Sequence, residues 1–305
     1  MTAESKKNYK IVVTDSGLGG LSIAASLEYE LRNKSNFPNI DLIFFNALAA
    51  SDFGYNSMPS LEKQSEVFDS ALNSIANLFH PDLILIACNT LSIVYENTKF
   101  SKTTEIEVMG IIELGIEMIL EEIKSSTKRS ILFLGTPTTI NSNSYQKKIA
   151  LSGIDVDEII SQPCPLLESE IQRNPQSEKV VSLIRNFIKE SKNKITNKHN
   201  PLTAVLGCTH YGYSENIFYS IMREELETRF SIVNPNKKMV ETVTSKLNSL
   251  RLFHSNVLVN VYSQVNLRDE EIKSIARILH EISPLTANAL LSYHFNPDLF
   301  YFSRQ

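Results

Sequence analysis

Two cysteines of this chain directly follow apolar segments that have the length of a buried strand. One such segment, at residues 83–87, precedes Cys88, and another, at 202–207, precedes Cys208. A threonine stands within two residues after each cysteine. Ligands of parallel α/β sheets bind outside the carboxyl ends of the strands, so thiols and hydroxyls at these places can act on a substrate. We therefore take Cys88 and Cys208 as the leading candidates for catalytic residues.

The residue types by themselves also allow a structural or a metal-binding role for the cysteines. Free cysteines are often buried for structural reasons, and Cys164 has no matching context, so that role is expected for it. A zinc site built from Cys88, Cys208 and His210 would leave Asn89 and Asp15 without a role. The remaining histidines show no spacing typical of metal ligands. The sequence predicts no metal centre.

A glycine-rich loop, Asp15-Ser16-Gly17-Leu18-Gly19-Gly20, connects a predicted strand to a predicted helix at 21–31. The amide groups at the start of such a helix can hold an anion. Dinucleotide binding is disfavoured because the third spaced glycine is missing and because Asn46 stands where a ribose-binding carboxylate is needed. No cofactor is expected.

Composition limits the class of protein. The chain has 305 residues, 42% of them hydrophobic and 21% charged, which is typical of a globular protein. A net charge of −4 argues against nucleic-acid binding, and no apolar run has membrane-spanning length. Residues 1–9 lack the apolar stretch of a signal peptide, and the three cysteines are odd in number and unrelated in spacing. These features predict a cytoplasmic protein with reduced thiols.

Predicted strands and helices alternate along most of the chain, which favours a parallel sheet. Residues 113–115 are expected to connect a strand to a helix, residues 168–190 to form a helical region broken near Pro175, and residues 283–305 to pack on the body as an extension. The strands are expected at 10–14, 41–45, 83–87, 107–112, 131–134, 154–159, 202–207, 231–233 and 257–261.

Three motifs together resemble the glutamate racemase family of the aspartate/glutamate racemase superfamily. They are the loop at 15–21, Cys88-Asn89-Thr90, and Gly207-Cys208-Thr209-His210-Tyr211. They occur in the family's order and at the expected strand ends. Weaker similarity at 110–115 and 136–145 extends the resemblance over residues 9–247.

The resemblance implies an α/β fold with two similar domains, each a mainly parallel sheet flanked by helices, that face each other across a cleft. Residues 1–112 plus 229–305 would form the first domain and residues 113–228 the second, with one cysteine from each. The family is cofactor-independent and supplies D-glutamate for cell-wall peptidoglycan. A homodimer is left open.

The resemblance also assigns roles. Racemisation removes the α-proton from one face of an amino acid and returns a proton to the other, which two thiols on opposite faces can do. A modest lowering of the pKa of a cysteine thiol is enough to give the thiolate form. Asp15 would support Cys88, and His210 would support Cys208. The residues expected to bind the substrate are Asp15, Ser16, Gly54, Tyr55, Asn89, Thr90, Thr139, Thr209 and His210, a set that contains no arginine.

Several positions depart from the family pattern. The loop after the second strand is Phe53-Gly54-Tyr55-Asn56 where the family has Pro-Tyr-Gly, and Gln172 stands where a glutamate is expected. Residues 212–214 and 234–236 also differ. Two alternatives therefore stay open beside glutamate racemisation: a racemase of aspartate, a hydantoin or a related carboxylate, and a non-catalytic protein that binds a small acid or a protein partner.

Overall fold

The computed structural model of the protein describes residues 8–123, 129–153, 156–248 and 254–304. The strands are β1 (Asn8–Asp15), β2 (Asn39–Asn46), β3 (Leu83–Ile86), β4 (Glu107–Gly110), β5 (Ser130–Gly135), β6 (Glu158–Pro163), β7 (Leu202–Gly207), β8 (Phe230–Val233), β9 (Asn256–Ser263) and β10 (His294–Phe295). The helices are α1 (Leu21–Lys34), α2 (Leu61–Phe79), α3 (Asn89–Tyr95), α4 (Phe100–Thr103), α5 (Ile111–Ile123), α6 (Pro137–Ser142), α7 (Ser144–Leu151), α8 (Leu167–Arg173), α9 (Glu178–Lys194), α10 (Glu215–Glu225), α11 (Pro235–Leu247), α12 (Asp269–Ile282) and α13 (Pro284–Leu291).

These strands form two separate parallel sheets. The first has the order β10-β9-β2-β1-β3-β4 and the second the order β6-β5-β7-β8. Each sheet begins at an inner strand, β1 or β5, and the chain then places its next two strands on opposite sides of it. The predicted α/β fold of two parallel-sheet units is confirmed.

Helices cover both faces of the first sheet, so the central residues of its inner strands, such as residues 11–13 of β1, are apolar and buried whichever face they point to. Ile11 and Val13 of β1 point into one apolar cluster with α1, while Val12 points into another with α2. Successive side chains of a strand face opposite sides, and strands buried on both faces therefore lack a polar alternation.

One apolar cluster joins the two sheets. It extends from β1 through Ile111 and Ile119 of α5 and Val243 of α11 to Leu132 of β5 and Val205 of β7. Because this core is continuous, it fixes the position of the carboxyl end of β3 relative to that of β7.

Two element boundaries differ from the prediction. The strand expected at 107–112 ends at Gly110, and the residues expected as a connector at 113–115 lie in α5. Ile111, Ile112 and Leu114 are buried at helical spacing, so packing against the core favours the helix. Residues 154–155 of the strand expected at 154–159 lie outside the described residues, and β6 begins at Glu158.

The predicted domain boundary at residue 229 assigns β8 to the first unit, and this detail is wrong. Phe230 pairs with Leu202 of β7, in the second sheet. A short apolar strand satisfies its backbone by pairing with the nearest open sheet edge, which here is β7. We propose a boundary between β8 and α11, since α11 packs on α1, which belongs to the first unit.

The carboxyl-terminal segment packs on the first sheet, as expected for the extension at 283–305. β10 pairs with β9, and Leu299 and Phe300 are buried beside α2 and β2. The ring centroids of Phe300 and Phe45 lie 5.8 Å apart. None of the helices in the described part of the chain has both the length and the apolar character needed to cross a membrane.

Candidate active site

The strand order brings both cysteines to equivalent places in the two sheets. Cys88 follows β3, the neighbour of β1, and Cys208 follows β7, the neighbour of β5. Both are points where the chain direction across the sheet reverses, which in open parallel sheets is where ligands bind. The repeated strand-end pattern thus corresponds to a repeated position in space.

A cavity of about 350 Å³ lies between the two sheets. Both thiols line it, and Cys88 and Cys208 are 7% and 8% exposed. All residues that the sequence singled out as catalytic or substrate-binding also line this cavity: Asp15, Ser16, Gly54, Tyr55, Cys88, Asn89, Thr90, Thr139, Cys208, Thr209 and His210.

The Cys88 thiol lies against the glycine-rich loop. Cys88 is the N-cap residue of α3, and its Sγ lies 3.2 Å from the Ser16 hydroxyl oxygen. Burial, together with the nearby Asp15 carboxylate, raises the pKa of Cys88 to about 12. The shift is opposite to the easily formed thiolate that the resemblance implies, because desolvation exceeds the effect of the neighbouring hydrogen bonds.

Asp15 connects the two halves of the site. Its Oδ1 accepts a hydrogen bond from the Ser16 amide at 2.6 Å, and its Oδ2 accepts one from the Thr209 hydroxyl at 2.8 Å. Burial raises the pKa of Asp15 to about 6, although these hydrogen bonds oppose the shift. The carboxylate also lies beside the backbone amide of Gly20, the residue that precedes α1.

His210 stands beside the second thiol. Its Nδ1 lies 3.8 Å from Cys208 Sγ, and its Nε2 lies 3.0 Å from Gln172 Oε1. Burial lowers the pKa of His210 to about 4, so the imidazole is neutral at pH 7. Burial and the nearby Glu168 carboxylate raise the pKa of Cys208 well above its ordinary value.

Hydroxyl and amide groups line the wall between the thiols. The Thr90 hydroxyl oxygen lies 3.5 Å from those of Thr136 and Thr139. Asn89 Oδ1 accepts a hydrogen bond from Tyr145 at 2.7 Å, while Asn89 Nδ2 is buried without a partner in the structure. These groups can donate to a carboxylate that enters the cavity.

The altered loop at 53–56 also reaches the cavity. Tyr55 opens a short 3-10 helix, Tyr55–Ser57, and its carbonyl accepts a hydrogen bond from Gln64 Nε2 at 2.7 Å. The Tyr55 hydroxyl is buried and has no hydrogen-bond partner among the described residues. The exchanged order of the loop therefore still presents polar groups to the space beside Cys88.

The cavity also has lining residues that were not predicted as site residues, among them Thr136, Glu168, Arg173, Arg268 and Glu271. The substrate-binding set named from the sequence contains no arginine, whereas Arg173 and Arg268 line the cavity. Arg173 pairs with Glu170, however, and Arg268 pairs with Glu271. Thr136 begins the segment at 136–145 to which the weaker family similarity extends, and that similarity is a usable signal. Arg268 and Glu271 lie at the start of α12, and nothing in the sequence connects them to the motifs.

Gly19 permits a close approach between the two halves. A Cβ atom at this position would lie 2.7 Å from His210 Nδ1 and 2.8 Å from the His210 backbone nitrogen. Both distances are too short for real atoms, and a backbone nitrogen cannot move aside easily. Only glycine fits here without separating the glycine-rich loop from the Cys208 segment.

We expect Gly19→Ala to lower the free energy of unfolding by about 1–3 kcal/mol, the usual range for forced overpacking. Denaturation in urea measures the change. Gly54→Ala is the matched control, because a Cβ there would meet only Leu48 at 3.7 Å. Equal stability of the two variants would contradict the packing argument.

Comparison with known proteins gives one consistent result. No protein-family model matches the chain. The glutamate racemase of Aquifex pyrophilus is 30% identical over 211 residues, which cover 66% of this chain and 71% of that protein. The glutamate racemase of a Sulfurihydrogenibium species is 30% identical over 240 residues, which cover 78% and 83%. The structure of Francisella tularensis glutamate racemase in complex with D-glutamate superimposes with a TM-score of 0.64 at 24% identity, covering 95% and 96%.

Proposed function

The chain belongs to the glutamate racemase family, and we propose that it interconverts L- and D-glutamate, with Cys88 and Cys208 as the two acid/base groups. The observation that carries the proposal is the placement of two buried thiols at equivalent strand ends, lining one cavity between the sheets. Family membership supports the reaction, and the geometry supports the residues.

In the proposed mechanism one thiolate removes the α-proton of the bound amino acid. The electron pair stays with the substrate as a carbanion, and the opposite thiol delivers its proton to the other face. Because burial raises the pKa of both thiols, the proton that leaves the first thiol needs an acceptor nearby. Asp15 beside Cys88 and His210 beside Cys208 are the proposed acceptors.

We assign substrate binding to the polar groups of the cavity wall. The hydroxyls of Ser16, Thr90, Thr139 and Thr209 and the unpartnered amide of Asn89 are proposed to bind the substrate's carboxylates and ammonium group. Gly54 and Tyr55 are the proposed contacts for the side-chain carboxylate. Each hydrogen bond to a charged group contributes about 1.5–3 kcal/mol.

Glutamate is expected to be turned over with a higher kcat/KM than aspartate. Gly54, Tyr55 and Asn56 line the cavity, and the longer side chain of glutamate is expected to place its carboxylate within reach of them. Chiral chromatography of each enantiomer of both acids after incubation with the purified protein gives the two specificity constants. A ratio that favours aspartate would contradict the substrate assignment, and turnover of neither acid would contradict the activity.

Activity is expected to be insensitive to metal chelation and to need no added cofactor, because the proposed proton transfers use only thiols and their neighbours. Assays before and after exhaustive dialysis against a chelator measure this. Activity that disappears with the chelator and returns with a metal ion would contradict it.

The wider setting follows from the family. We propose that the D-glutamate produced enters peptidoglycan synthesis and that the protein acts in the cytoplasm. A homodimer stays a prediction that sedimentation of the purified protein tests.

A further inference from the structure

Gln172 stands where the family pattern predicts a glutamate, and the structure gives it three partners. Its Oε1 lies 2.9 Å from the Leu18 amide nitrogen and 3.0 Å from His210 Nε2. Its Nε2 lies 3.0 Å from Glu271 Oε2. Gln172 therefore connects the glycine-rich loop, the histidine beside Cys208, and helix α12.

These partners determine which way the Gln172 amide faces. The backbone N–H of Leu18 can only donate, so the atom facing it must be the amide oxygen. The Glu271 carboxylate can only accept, so the atom facing it must be the amide nitrogen. Glu271 itself is 6% exposed and is paired with Arg268 at 3.3 Å. The orientation is thus fixed from both sides.

A fixed amide oxygen in turn determines the tautomer of His210. Since Gln172 Oε1 can only accept, His210 Nε2 must carry the hydrogen of the neutral ring. The lone pair then lies on Nδ1, which faces Cys208 Sγ at 3.8 Å. The opposite tautomer would present an N–H to the thiol and could not take its proton.

We propose that Gln172 and Glu271 are positioning residues that hold His210 as the Nε2–H tautomer, so that Nδ1 can accept the proton of the Cys208 thiol. In that transfer the S–H bond breaks and an Nδ1–H bond forms. Sulfur keeps the electron pair as a thiolate, and the ring becomes an imidazolium whose Nε2–H still donates to Gln172. The kinetic part of this inference rests on the proposed racemase function, whereas the tautomer itself does not.

The tautomer is tested by nitrogen NMR of protein labelled with ¹⁵N-histidine at pH 7, with the His210 signals assigned from a His210→Gln sample. We expect a protonated Nε2 and an unprotonated Nδ1 in the wild type. Glu271→Ala should give a mixture of tautomers, and Glu271→Gln, whose side-chain oxygen can still accept from Gln172, should preserve the wild-type signals. A protonated Nδ1 in the wild type would overturn the inference.

Kinetics test the consequence. Glu271→Ala is expected to lower kcat by about 2- to 10-fold, in proportion to the fraction of His210 that takes the wrong tautomer and cannot act as a base. Glu271→Gln should retain most of the activity. Glu270→Ala is the matched control, since Glu270 lies on the same helix but its nearest arginine atoms are 3.9 Å away and it does not contact Gln172.

Isotope effects separate positioning from general damage. With α-deuterated substrates, Glu271→Ala should raise the isotope effect in the direction in which Cys208 removes the proton and lower it in the other. Unchanged or parallel isotope effects, or a Glu271→Gln variant as slow as Glu271→Ala, would overturn the inference. If the wild type racemises neither acid, the proposed function is wrong, and the NMR result on the free protein still decides the tautomer.

Discussion

Replacement of either Cys88 or Cys208 by serine is expected to lower kcat for racemisation by about 10²- to 10⁴-fold, the usual contribution of a general acid or base. The hydroxyl of serine loses its proton far less readily than a thiol, so one face of the substrate has no effective base or acid. Assays in both directions with purified variants measure the loss.

Each single variant keeps one working thiol, and this gives a sharper expectation. Cys88→Ser and Cys208→Ser should each exchange the α-proton of one enantiomer with deuterated water without inverting it, and the two variants should act on opposite enantiomers. Cys164→Ala is the matched control, because Cys164 is buried outside the cavity and should leave turnover unchanged. Near-normal turnover by either active-site variant would contradict the two-thiol assignment.

Ionisation of the Asp15 carboxyl is expected to lower the free energy of unfolding as the pH rises from 4 to 7. Burial raises the pKa of this carboxyl from 3.8 to about 6, so the folded state keeps its proton to a higher pH than the unfolded state. The unfolded state binds fewer protons in this interval, and stability present below pH 4 is lost as the pH passes through about 6. The full cost of ionising the buried group is about 3 kcal/mol.

Asp15→Asn should therefore be as stable as the wild type at pH 4 and more stable by up to about 3 kcal/mol above pH 7. Its kcat should fall by at least about 10-fold, because the variant has no ionisable group beside Cys88. Urea denaturation at several pH values measures the stability. Asp157→Asn, at an exposed carboxyl, should follow the wild-type curve. A variant that is both active and no more stable would contradict a functional role for the buried carboxyl.

The strand-end motifs could be predicted because their signals are local. Apolar runs before Cys88 and Cys208 are long enough to identify buried strands, and the glycines at 17, 19 and 20 identify a loop that something must approach closely. The contact partner of Gly19, the backbone of His210, lies almost two hundred residues away in the chain, and only the resemblance suggested that the motifs meet.

Properties that depend on tertiary packing could not be predicted in the same way. The direction of the thiol pKa shift follows from burial in a closed cavity, which periodicity does not reveal. Helix α5 begins at Ile111 because apolar side chains there join the core between the sheets, whereas the local sequence continues the strand pattern. Glu271 reaches Gln172 from a helix for which the sequence suggested no function.

The location of deuterium early in the reaction tests the central claim most directly. Protiated L-glutamate is incubated with the wild-type protein in deuterated water, and the two enantiomers are separated after a few per cent conversion and analysed by mass spectrometry. Two thiols on opposite faces predict D-glutamate that carries solvent deuterium, beside remaining L-glutamate that keeps its protium. D-glutamate that retains the original protium, or L-glutamate that gains deuterium as fast as D-glutamate forms, would contradict the two-thiol mechanism.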